Sequence, residues 1–339
     1  MSLLRETLRP KLKPQQKDHY TPTLKALDEN LHQYRGKISR LMIYPFKSLG
    51  GISVDTAVLG PTGLMTHSGF RDRSAMLVEF DEQKGWKRFT QRDEAGLAQI
   101  RTELLNDNTL RLQSPHGMHH DCGVGDLFAR EGQRIRAATY EDQYVEGRLE
   151  HIDGNLTAFI HEHLSALGSY TYDQLQRIGV LLPHTEVDRS VPMSHSGNAA
   201  AATEFADVGK YLLVNAATVD YVNEEIMPPA AAEVYRYNVL VSGWPANLED
   251  IVNYATVESG QLYYGMHFGV MSTRCAVTMV DQATGIKRKD GEPLAALMKR
   301  RPRRGKKNEP TMGINIADGP EGYYKTIRVG DFIVPNSEK

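Results

Sequence analysis

The stretch Lys37-Ile38-Ser39-Arg40-Leu41-Met42-Ile43-Tyr44-Pro45-Phe46-Lys47-Ser48-Leu49-Gly50-Gly51 sets the fold class. Side chains alternate with a period of two from Lys37, which predicts a strand with Ile38, Arg40 and Met42 on one face and Leu41 and Ile43 on the other. The ladder stops where a proline and paired glycines impose a turn. The pattern recurs on moving outward. Short strands fit 53–59, 74–80, 86–91, 97–103 and 109–113, each bounded by Gly, Asp, Asn or Pro, as in a small barrel or sandwich. A helix fits 156–167, with Phe159, Leu164 and Leu167 along one side. The polar stretch 183–204, rich in Ala, Ser and Gly, reads as a crossover or loop. Beyond it, strands fit 210–214, 236–242, 261–270, 275–281 and 325–334, the last interrupted by a Gly330-Asp331 turn. Helices fit 216–226 and 292–300, the second opening on Glu292-Pro293. The prediction is a mainly β protein with peripheral helices: a polar arm at 1–36 and two β-barrel-like modules at 37–170 and 171–337.

The 339 residues suffice for two cores. Hydrophobic residues make up 40% and charged residues 24%, as in soluble globular proteins. A formal charge of −2 gives no global field to recruit nucleic acid or anionic membrane. No run approaches the ~20 apolar residues of a membrane span, and the N-terminus lacks the apolar core of a secretory signal. A cytoplasmic setting follows, in which Cys122 and Cys275 are expected as reduced thiols. Walker and Rossmann phosphate loops are absent, which argues against the common nucleotide enzymes.

Four segments carry chemistry. Tyr44-Pro45-x-Lys47-Ser48 with Gly50-Gly51 places a lysine and a hydroxyl on a permissive turn, either an anion site or an ordinary surface turn. Arg71-Asp72-Arg73 is either a surface ion pair or an arginine clamp on phosphate, with Asp72 holding Arg73. In Arg236-Tyr237-Asn238, arginine and amide could grip a polar ligand, or cover the barrel mouth and satisfy loop backbone. Ser272-Thr273-Arg274-Cys275-Ala276-Val277-Thr278-Met279-Val280-Asp281 sets a soft thiol beside a guanidinium at the head of an expected strand. That thiol is an inert core residue, a nucleophile or a ligand for a soft metal. His267 lies eight residues upstream, but no protease or transferase signature surrounds the cysteine.

Taken in order, YPxKSxxG, RDR plus strand, RxN plus strand and SxRCxxTxVDxxTG with a later GEPL resemble the MOSC superfamily over roughly residues 37–337. The similarity is to its two-module group, which carries a MOSC N-terminal barrel before the MOSC barrel and includes the amidoxime-reducing components. The resemblance implies that Cys275 is a molybdenum ligand and, with Arg274, part of the catalytic centre. It implies that Lys47, Ser48, Arg73, Arg236, Asn238 and Thr273 hold the molybdenum cofactor (Mo-molybdopterin). Relatives carry a hydroxyl pair where this chain has Asp207-Val208-Gly209, so any phosphate contact there would come from backbone N–H groups. Tyr237 replaces the usual proline. The family as a whole is also associated with pyridoxal phosphate binding.

The implied activity is reduction of N-hydroxylated (N–O) compounds, with electrons from a separate redox protein because neither a ferredoxin-like extension nor a membrane anchor is expected. The alternatives are a sulfur-carrier or cofactor-delivery protein using Cys275, and a cofactor-free MOSC-fold binding protein. Two clusters stand apart. His116, His119, His120 and Cys122 fall within seven residues, in an expected loop capable of zinc or copper binding but without finger spacing. Lys299 to Lys307 places seven bases in nine residues, either a solvated loop or, around Arg300–Lys307, a dock for an acidic electron-transfer partner.

Overall fold

The computed structural model describes residues 31–127, 133–139, 143–150, 154–183, 189–198, 201–303, 306–319 and 322–336. Twelve strands build two closed barrels. The first six in chain order are β1 (Gly36–Ile43), β2 (Ala75–Asp81), β3 (Gly85–Arg88), β4 (Gln133–Ala138), β5 (Tyr144–Leu149) and β6 (Ile178–Leu182). After them come β7 (Tyr211–Asn215), β8 (Val239–Ser242), β9 (Tyr254–Ser259), β10 (Leu262–Thr273), β11 (Lys306–Asp318) and β12 (Phe332–Pro335). The larger barrel runs β7-β8-β1-β12-β9-β10-β11 and closes by β11 pairing antiparallel with β7. The smaller runs β6-β5-β4-β3-β2 and closes by β2 pairing with β6. Closure removes the exposed edges that invite aggregation. The smaller barrel is inserted between β1 and β7: β1 is a stave of the larger barrel although it precedes every stave of the smaller, and β6 closes the smaller beyond residue 170.

Alternation explains the cores. In β7, Tyr211 and Leu213 point into the larger barrel with Leu41, Val239, Phe268, Ile316 and Ile333. Leu212 and Val214 point outward to a second layer. There α2 (Ala216–Asn223) contributes Val219 and Val222, and α3 (Leu294–Arg300) contributes Leu297. In β2, Met76 and Val78 fill the smaller barrel while Ala75 and Leu77 face Phe159 and Leu164 of α1 (Asn155–Ala166). Strands buried on both faces read as continuous apolar runs.

Several expectations change. In β1 the register shifts between Ile38 and Arg40, so Ile38 joins Leu41 and Ile43 in one core while Arg40 is exposed. A bulge adds one residue and exchanges the faces beyond it. Residues 97–99 end a 3-10 turn (Ala95–Gln99), whose Glu94 carboxylate accepts from the Gly96 N–H; the strand begins at Arg101. The expected strand at 275–281 is a 3-10 turn over Ala276–Met279, with Cys275 as its N-cap. The Thr278 N–H and hydroxyl both donate to the Cys275 carbonyl, which diverts the backbone from the ladder. Thr326–Arg328 and β12 flank the Gly330-Asp331 turn but pair with different sheets, β12 with β9 and Thr326–Arg328 with Thr56–Leu59.

Of the histidine cluster, the expected loop holds only His116, which lies in a turn. His119–Gly123 pairs antiparallel with Thr109–Gln113, and its side chains alternate between solvent and interior. His120 tilts against Phe159 at 6.2 Å and Cys122 is buried. Burial pushes the Cys122 thiol up to about 12. No group of three or more His, Cys, Asp or Glu among the described residues is placed to hold a metal ion. Both cysteines are free thiols.

Candidate functional site

A cavity of about 290 Å³ opens where the two barrels meet, near the lower end of the ~300–1,000 Å³ usual for small-molecule sites. Lys47, Ser48, Arg73, Asp207, Val208, Gly209, Arg236, Asn238, Thr273, Arg274 and Cys275 all line it. Two-residue strand Phe46–Lys47 docks parallel on β2 and carries Lys47 and Ser48 in from the smaller barrel. The other barrel delivers Arg236 and Asn238 at the head of β8, and Thr273 to Cys275 where β10 ends. Sequence reasoning passed over Arg88, Thr90 and Arg92, which also line the cavity. Their only signal was position: Arg88 and Thr90 fall within the predicted strand 86–91 and Arg92 just after it.

The cavity is cationic. Lys47, Arg73, Arg88, Arg92, Arg236 and Arg274 face two carboxylates, Asp207 and Glu309. Lys47 Nζ donates to the Phe205 carbonyl at 2.8 Å and pairs with Asp207 Oδ1 at 2.5 Å. Arg88 lies 3.8 Å from the same oxygen. Burial alone would raise the Asp207 carboxyl, but the charge and hydrogen bond of Lys47, helped by Arg88 and Arg92, hold it at about 2.

Behind this front stands Tyr44, with the guanidinium carbons of Arg73 and Arg236 4.8 and 4.4 Å from its ring centroid. Asp72 accepts from the Tyr44 N–H at 2.8 Å and pairs with Arg73. Arg73 also donates to Asn238 Oδ1 and to the Arg236 carbonyl, both at 3.0 Å. Asn238 Oδ1 accepts in addition from the Leu212 N–H, and its Nδ2 donates to the Met42 carbonyl. Both Arg73 and Asn238 therefore brace the wall. Arg274 is turned the same way: Nε and Nη2 donate to the Met312 carbonyl and Nη1 to the Tyr235 carbonyl. Burial lowers Arg274 to about 10.

Arg236 differs. Its Nη1 donates to the Leu49 carbonyl and to Gln282, while Nη2 is buried with no hydrogen-bond partner among the described residues. Burial lowers this guanidinium to about 10 as well. A buried unpaired donor costs about 1–3 kcal/mol, more when charged. Ser48, Arg73 and Arg236 have φ of 80°, 50° and 51°, a left-handed backbone that costs non-glycine residues of order 1–3 kcal/mol. Three of the five such residues described thus line one cavity. Such concentration is typical of functional sites.

Cys275 is half-buried, and its Sγ accepts from Arg92 Nε at 3.1 Å. Opposite the sulfur's own segment, Gly209 sits so close to Asn315 that a Cβ there would lie 2.4 Å from Oδ1, so the 207–209 wall excludes any side chain at that point. A thiol, an unspent guanidinium nitrogen and a surplus of positive charge form a site able to hold an anion that carries a soft metal.

Residues 35–148 match the family model described as MOSC N-terminal beta barrel domain. The chain is 25% identical over 265 residues to mitochondrial amidoxime-reducing component 1 of Mus musculus, covering 78% of this chain and 71% of the relative. The same protein of Homo sapiens is 25% identical over 267 residues, covering 79% and 72%.

Proposed function

Because this chain is a MOSC domain protein that carries the MOSC N-terminal barrel, we propose that it is a molybdenum-cofactor-dependent reductase of N-hydroxylated compounds. The observation that carries the reading is Arg236 Nη2, a buried donor left unspent on a residue that lines, with Cys275, a cavity where six cations face two carboxylates. An anionic pterin phosphate answers that surplus, and a thiol suits molybdenum. When bound, the cofactor supplies two-electron reduction of an N–O bond with loss of water. Cys275 would ligate the metal. Lys47, Arg88 and Arg236 would hold the anionic groups, with Ser48, Thr273 and the 207–209 backbone as the nearest hydrogen-bonding partners. Arg73, Asn238 and Arg274 keep those walls in place through the carbonyls and amides they already bind.

Pyridoxal phosphate fits less well. Its attachment needs a nucleophilic lysine, and the one lysine lining the cavity is bonded to Asp207 and Phe205. The Lys47–Asp207 pair also supports a second reading, a cofactor-free binding protein, since a carboxylate already satisfies the cation a phosphate would use.

Electrons would come from a separate protein. Near the expected dock, Arg300 pairs with Glu224 and Glu225, and Arg301 is buried against Glu249 and Asp250. Both bases are spent on carboxylates of this chain, Arg301 in the interior and Arg300 at the surface. Docking would fall to the remaining bases: Arg304 lies outside the described residues, as do the side chains of Arg303, Lys306 and Lys307.

The test is elemental analysis of wild type and Cys275→Ala purified from a host that makes the cofactor, with amidoxime reduction assayed using an artificial donor. Near-stoichiometric molybdenum and turnover in wild type, both lost in Cys275→Ala, are expected. Equal molybdenum in the two removes Cys275 from the ligand set, and a Cys275 persulfide without metal favours a sulfur carrier.

A further inference from the structure

The side chain that reaches the Cys275 sulfur comes from the opposite barrel. Arg92 follows β3 in a turn held at several points. Asp93 Oδ2 accepts from the Thr90 N–H at 2.8 Å and from the Thr90 hydroxyl at 2.9 Å. The Thr90 hydroxyl accepts in turn from the Arg92 N–H, and the Thr90 carbonyl accepts from the N–H groups of Asp93 and Glu94.

The neighbouring Gln91 pins this turn to the Cys275 segment. Its amide donates to Gln282 Oε1 at 3.2 Å and accepts from Gln282 Nε2 at 2.9 Å, a reciprocal pair across the seam. Gln91 also donates to the Ser48 carbonyl, and Gln282 donates to the Val280 carbonyl and accepts from Arg236 Nη1. The guanidinium is thereby presented from a fixed backbone, with Nε 3.1 Å from Sγ.

We propose that Arg92 is a positioning residue that sets the electron density of the Cys275 sulfur, and through it the reduction potential of a metal held there. The inference rests on the reading of Cys275 as a molybdenum ligand. An N–H···S hydrogen bond draws charge from a ligand sulfur and favours the reduced, more electron-rich metal, a lever known to tune thiolate-bound centres. Arg suits the task because its Nε–H is directional and the charge is permanent. The amide clamp gives the bond its precision, since a site is only as well placed as the groups supporting it.

The experiment compares wild type with Arg92→Met, Arg92→Lys and Gln91→Leu, each loaded with cofactor. It reads molybdenum content, the midpoint potential followed by the Mo(V) paramagnetic signal, and the thiolate-to-metal charge-transfer absorption. Arg92→Met should keep molybdenum, with a lower potential and a shifted absorption band. Arg92→Lys should recover part of the shift, and Gln91→Leu should show a smaller one. If Arg92→Met fails to load, the Lys and Leu variants decide the matter. Molybdenum present with potentials and spectra equal to wild type overturns this inference alone. Wild type without molybdenum overturns the parent reading, and this one with it.

Discussion

Asp207 decides how available the anion site is. Its carboxylate holds Nζ of Lys47, the one lysine lining the cavity. Replacing it by Asn removes a competing carboxylate while nearly preserving shape. Asp207→Asn should tighten pyrophosphate binding to cofactor-free protein about tenfold, about 1.4 kcal/mol, read by titration calorimetry; unchanged affinity would refute competition. The pH dependence has a defined sign. A carboxyl held at about 2 in the folded chain, against ~3.9 when unfolded, contributes stability above ~pH 4 and loses it as pH falls through about 2. The stability gap between wild type and Asp207→Asn in urea should therefore be constant from pH 7 to about 4 and close below it. A gap that persists at pH 2 would show that the ion pair is not its source.

Among elements, the closing seam of the larger barrel leaves no room for a side chain at one point. β7 meets β11 through Tyr211↔Ile316, Leu212↔Asn315 and Leu213↔Ile314. Gly313 sits at this seam with φ of 73°, and a Cβ there would lie 2.5 Å from the Leu213 carbonyl oxygen. Gly313→Ala should cost roughly 1–3 kcal/mol, seen as a lower urea midpoint with unchanged slope. The same local physics decided which elements were legible. Strand 109–113 was clear because alternation and turn residues agree there, and 210–214 because a short apolar run is bounded by Gly209 and Asn215. The 276–279 turn was not, because Ala, Val, Thr and Met suit a strand and only the Thr278 bonds to the Cys275 carbonyl divert them. β4, β5 and His119–Gly123 were missed because half of each faces solvent and their polar residues mask the period.

At the scale of the molecule, the smaller barrel is inserted in the chain between two staves of the larger. β1 precedes all five staves of the smaller barrel yet completes the larger, so the larger barrel closes only across the whole span of the smaller one. The two tryptophans report on this: Trp86 lies on β3 of the smaller barrel and Trp244 is buried in the larger. Trp86→Phe and Trp244→Phe variants, each followed by its remaining fluorophore, should unfold with coincident midpoints after correction for any shift in overall stability seen by circular dichroism. Midpoints that separate would show two independent folding units. No helix among the described residues is long and apolar enough to cross a membrane.

The sequence alone determined the class of the fold and the residue types that the cavity collects. Period-two burial and turn residues are local properties, and the cations, amide and thiol at 47–48, 73, 236–238 and 273–275 are recognisable by type wherever they lie. Tertiary structure decided what those groups do to one another. Closure of the barrels turned Arg73, Asn238 and Arg274 into braces, left Arg236 with an unspent donor, and brought Arg92 to the Cys275 sulfur. Those outcomes depend on contacts between residues far apart in the chain, 196 positions for Asn238 and Met42 and 183 for Arg92 and Cys275, and nothing in local propensity encodes a distance of that kind.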